Sequence, residues 1–135
     1  MFRIAALCLP VLALSFAAAC TNTKLPSLSI APAPGNIALG DNQRAAVHAG
    51  VRKMIPNPDT AKFLADGARK GKADEGTHVC GHVTYVDPAT SKSVEQPYYV
   101  ELRVTNGVPN AERGQVGGDP AKLAKVKFLC RDHRL

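Results

Sequence analysis

Residues 77–104, THVCGHVTYVDPATSKSVEQPYYVELRV, decide the fold. The first ten are dominated by β-branched and aromatic types, which suit a pleated, half-buried surface. Asp87 and Pro88 then open a turn running to about Ser93. The return segment alternates, with Tyr98, Val100, Leu102 and Val104 on one face and Tyr99, Glu101 and Arg103 on the other. That period of two is the pattern of a strand and predicts an antiparallel pair with one core face and one wet face. Asn106 and Gly107 give the next turn signal. They lead to a third short strand near 108–116, which Pro109 confines to a sheet edge.

Outward from this hairpin the periodicity changes. On the N-terminal side, Asp41 offers an N-cap to a helix in which Val47, Val51, Met54 and Ile55 form an apolar stripe. Pro56, Asn57 and Pro58 require it to stop at Ile55. Asp59 caps a short turn through Thr60, Ala61 and Lys62 that delivers Phe63 and Leu64 to the core. The stretch 66–76, rich in glycine and charge, reads as an exposed loop. On the C-terminal side, Asp119 at a cap and Pro120 at the first helical position announce a helix. Leu123, Val126 and Cys130 share one of its faces, although 125–128 also alternate as a strand would. The order predicts an α+β fold for 41–135: one small domain with an N-terminal amphipathic helix, a two- to three-stranded antiparallel sheet and a C-terminal helix.

The chain has 135 residues, 45% hydrophobic, 5% aromatic and 21% charged, without Trp and with a net charge of +6. These values bound it to one small domain plus appendages and exclude wholesale disorder and fibrous repeats. Residues 1–19, MFRIAALCLPVLALSFAAA, carry one cation (Arg3), an apolar stretch and a small-residue exit, the layout of a secretory signal peptide. The stretch is interrupted by Pro10 and short for a membrane span.

The exit and the residue after it, Ala17, Ala18, Ala19 and Cys20, resemble the lipobox of bacterial lipoprotein signals. The resemblance implies that Cys20 becomes the first mature residue and carries lipid, anchoring the chain in the membrane. Thr21 after it, rather than Asp, implies the outer membrane and a domain facing the periplasm; a soluble periplasmic or secreted protein is the alternative. Four cysteines are present. Cys8 leaves with the signal, lipidation uses Cys20, and one natural pair remains, Cys80 with Cys130, as a disulfide. Residues 20–40 then form the lipidated Cys and a Pro-rich tether. A second resemblance covers the domain: Pro58 to Phe63 after an amphipathic helix, then Val79, Cys80, Gly81, His82 and Val83, look like a turn and a "V-C-G-x-V" strand of small secreted proteobacterial proteins. It implies a fold and no activity.

His78, Cys80 and His82 project from one face of a strand. With Cys130 and His133, the set Cys80, His82, Cys130 and His133 has the chemistry of a zinc or Cu(I) site, at a spacing of no known finger. Thiols exported to an oxidising compartment pair instead, so the disulfide is preferred and no cofactor is expected. No nucleophile-elbow, His-Glu-x-x-His or phosphate-loop pattern occurs, and Asp74 with Glu75 sits in a charged loop, so no enzyme activity is expected. Arg44, His48 and Arg52 on the helix and Arg69, Lys70 and Lys72 in the loop form a basic surface suited to solubility or to anionic envelope polymers. No aromatic platform accompanies these cations, which speaks against nucleic acid. The expected function is therefore a non-enzymatic envelope lipoprotein that presents its domain to an envelope protein or polymer. A metal-binding envelope protein and a small inhibitor of an exported enzyme are the alternatives.

Overall fold

The computed structural model describes residues 35–72 and 75–135. The signal peptide, Cys20 and most of the expected tether lie outside the described residues. Two long strands, β4 (Thr77–Val86) and β5 (Ser93–Thr105), pair antiparallel from Thr77 opposite Leu102 to Val86 opposite Ser93. Asp87 closes their turn: its backbone N–H donates to Lys92 O (2.9 Å), and its carboxylate accepts from Ala89 N (2.9 Å) and Thr90 Oγ1 (3.1 Å). β6 (Val108–Val116) adds to the outer edge of β5. Asn106 (φ 53°) and Gly107 (φ 77°) make the tight turn between them, using the left-handed backbone these residue types tolerate.

The sheet extends further than its sequence signals. β2 (Lys62–Phe63) and β3 (Gly67–Lys70) follow one another along the free edge of β4, and β1 (Asn36–Ile37) pairs with β3, giving six strands among the described residues. This corrects the expectation of two or three strands and of an exposed loop over 66–76. The physical reason is length: β3 buries only Ala68, so no alternation develops to mark it. The expected tether gives its last residues to the fold, since Asn36 and Ile37 pair and Leu39 is buried.

The helices cover opposite faces. α1 (Asp41–Arg52) lays Val47 and Val51 against Val79, Val83, Tyr98, Val100 and Leu102, the main core. Gly40, not Asp41, is its N-cap, and the Gly40 N–H donates to Gln43 Oε1 (3.0 Å). The helix ends at Arg52 rather than Ile55, yet Ile55 still reaches the core from the following turn. Phe63 packs against this core, whereas Leu64 is exposed. α2 (Pro120–Asp132) starts where Asp119 accepts from Lys122 N (2.9 Å), which resolves 125–128 as helix. It packs Val126 onto Cys80 and Tyr99.

The face of β5 expected to be wet is therefore covered. Tyr99 lies under α2, and the equally buried Glu101 is neutralised by Arg103 at 3.0 Å. Alternation within one strand reports that two faces exist, not what packs on each.

Candidate functional site

Cys80 and Cys130 form a disulfide with a Cα–Cα distance of 5.9 Å, closing 50 residues of sequence. It ties the middle of the sheet to the last turns of α2. His78, Cys80 and His82 occupy the predicted common face of β4, and α2 lies over it. The more apolar opposite face, with Val79, Val83 and Tyr85, belongs to the main core. Both faces are thus occupied.

The structure does not assemble Cys80, His82, Cys130 and His133 as four ligands. Both sulfurs are in the bond, His82 is exposed, and His133 stacks on His78 with ring centroids 3.5 Å apart and planes 9° apart. Among the described residues, no group of three or more His, Cys, Asp or Glu converges as a metal would require.

His78 is instead the centre of a small buried stack. Its Nδ1 hydrogen-bonds the Tyr99 hydroxyl (2.8 Å), and its Nε2 lies 3.5 Å from Glu75 Oε2, close enough for an ion pair but long for a hydrogen bond. Glu75 is held below the usual carboxylate range by the Lys72 backbone N–H and then by His78. Burial, then the Glu101 and Glu75 charges, push the Tyr99 hydroxyl up. Burial first, and then the charge of His78, lower His133, against the opposing charges of Asp132 and Glu75. The fold thus favours neutral His133: its contribution to stability is complete above the ordinary value of about 6.5 and is lost as pH falls through the depressed folded value. An NMR pH titration should find the His133 ring titrating below an unfolded-peptide histidine, and a midpoint at or above that reference would contradict the stack.

The Arg44, His48 and Arg52 surface has a structural task that its spacing does not reveal. His48 stacks on Phe63 at 3.8 Å with planes 7° apart, and the Arg52 guanidinium lies 5.0 Å from the centre of the same ring. The His48 Nε2 also donates to Asp66 Oδ2 (3.0 Å), with Arg44 Nε 3.9 Å from that oxygen. The Tyr98 hydroxyl donates to Asp66 Oδ1. Asp66 has only 5% of its side chain exposed, and a carboxylate so buried requires such partners. Burial, then the hydrogen bond and charge of Asp66, push the Tyr98 hydroxyl far above its ordinary value, so it stays protonated and donates. Asp66 was missed by sequence because it stands in the break between β2 and β3, inside a stretch whose composition is that of a loop.

Gly81 is the sequence feature that makes this contact possible. A Cβ there would lie 2.6 Å from the Tyr98 hydroxyl and 2.8 Å from Asp66 Oδ1. Gly81→Ala is expected to push the pair apart and cost about 1–3 kcal/mol, readable as a lower urea midpoint at unchanged slope. An unchanged midpoint would show that the pair has room to spare.

Two clefts flank the end of α2. One, of about 330 Å³, is bordered by Arg69, Lys70, Lys72 and Arg134, by the carboxylates of Glu75 and Asp132, and by the His78 and His133 stack. It gathers the loop cations singled out by sequence. The other, of about 570 Å³, lies beside the disulfide. Fold and staple together define a small disulfide-bridged α+β domain. Comparison with known proteins finds no matching family profile, no matching curated protein and no matching solved structure.

Proposed function

We propose that this protein is a non-enzymatic cell-envelope lipoprotein. Cys20 carries its lipid anchor in the outer membrane, and the domain is presented on a short tether to a protein or anionic polymer of the periplasm. The Cys80–Cys130 bond carries the reading. Disulfides persist in oxidising compartments, and this one uses the two cysteines that remain once the signal and a lipidated Cys20 are set aside. Support for the interaction role comes from Arg69, Lys70 and Lys72, which border a cleft together with Arg134 at the end of α2.

The test is metabolic labelling with alkynyl palmitate in a bacterial host expressing the full chain, followed by membrane fractionation. The wild-type protein should take up label and travel with the outer membrane, and Cys20→Ser should abolish labelling. A wild-type chain that is unlabelled and found in the soluble periplasm would refute the anchor.

A further inference from the structure

The cleft beside the disulfide has two chemically distinct parts. Its floor is apolar, lined by Val126, the Cys80–Cys130 bond, Pro97 and Leu135. Its rim carries Lys127, Arg131 and Arg134, all exposed, and no Asp or Glu side chain lines it. We propose that this cleft binds the alkyl chain of a free fatty acid, with the carboxylate held at the cationic rim.

Size favours a single chain, since about 570 Å³ falls within the range of small-molecule sites and well short of an extended interface. The floor favours an aliphatic group. Among the described residues, the one buried side-chain polar atom without a hydrogen bond is His78 Nε2, and His78 lines the other cleft. No orphaned polar side chain therefore waits in this floor for a partner, whereas a peptide laid there would bring amides that each need one. An alkyl chain asks only for apolar contact. The rim supplies charge complementarity, since its ammonium and two guanidinium groups pair with an anionic head group such as a carboxylate and not with a neutral one. Val126 and Cys80 form with Tyr99 a minor core of three buried residues, against which the half-buried Cys130 and Leu135 pack, so an occupant would extend an apolar cluster that α2 alone leaves unfinished.

This deepens the interaction role proposed above by naming what one face holds, and it stands or falls separately from the anchor. The test uses the natively processed full chain in phosphatidylcholine vesicles with a long-chain fatty acid bearing a diazirine on its tail. Photo-adducts are mapped by peptide mass spectrometry. Adducts should concentrate on 65–67, Pro97, 126–127 and 130–135 and should disappear with excess palmitate. The same chain ending in an alcohol should label about tenfold less, the loss expected when charge-assisted bonds are absent. The variant Lys127→Glu/Arg131→Glu/Arg134→Glu should show a similar loss, with a non-reducing mass confirming its disulfide. Palmitate competition on the wild-type chain decides the matter if that variant misfolds. Four results would overturn the proposal: adducts spread equally over the exposed Val104, Val108 and Phe128, labelling that palmitate does not displace, an alcohol probe that labels as well as the acid, or displacement by an alkyl phosphate or an acidic peptide at lower concentration than by palmitate.

Discussion

Loss of the Cys80–Cys130 bond, by reduction or as Cys80→Ala/Cys130→Ala, is expected to lower stability by about 4 kcal/mol and to release α2 before the sheet. The magnitude follows from closing a loop of 50 residues in the unfolded chain, set against a total of about 5–15 kcal/mol for a domain of this kind. The order follows from packing. α2 fully buries only Val126, whereas α1 contributes Val47 and Val51 to a core that also takes in Val79, Val83, Tyr98, Val100 and Leu102. Without the covalent tie, one valine and its half-buried neighbours hold the helix. Urea unfolding should therefore show a lower midpoint, and native-state hydrogen exchange should show amides of 120–132 losing protection while those of β4 and β5 keep theirs. Equal loss in helix and sheet would mean that α2 is integral to the main core.

Tyr98→Ala is expected to cost about 3–5 kcal/mol and to leave little folded protein at physiological temperature. Tyr98 is completely buried and among the largest side chains of the core, so truncation opens a cavity between α1 and the sheet. It also removes the donor to Asp66 Oδ1, leaving a buried carboxylate with His48 and the more distant Arg44. Tyr98→Phe separates the two effects. It keeps the volume and deletes only the hydroxyl, and it should still cost about 1–3 kcal/mol because the acceptor stays buried and unpaired. Thermal melts of the two variants against wild type measure the split. Equal stability of Tyr98→Phe and wild type would show that Asp66 needs no donor from Tyr98.

The long hairpin, its third strand and both helices are legible in the sequence because each is long enough for a period to repeat and each has its own punctuation. Asp87, Asn106–Gly107 and Asp119–Pro120 act in the structure as their residue types require. β1, β2 and β3 are two to four residues long and carry no such repeat. The covering of Tyr99 and Glu101 depends on where α2 docks, which no local pattern contains. Asp66 reads as a loop residue because its partners come from helix and strand positions 18 and 32 residues away. Cys80 with Cys130 emerged from cysteine arithmetic once the resemblance of the N-terminus to a lipoprotein signal had set Cys20 aside. Of the six residues of the basic surface, His48 and Arg44 are drawn to Asp66 and Arg52 to the Phe63 ring, contacts that spacing does not reveal, whereas Arg69, Lys70 and Lys72 line a cleft at the end of α2.

Intact mass of the natively processed protein, measured before and after reduction, tests the central claim most directly. The chain is expected to begin at Cys20, to be heavier than its sequence by the acyl modification, and to gain two hydrogens on reduction. Two free thiols at Cys80 and Cys130 in the unreduced protein, with stoichiometric zinc or without it, would contradict it.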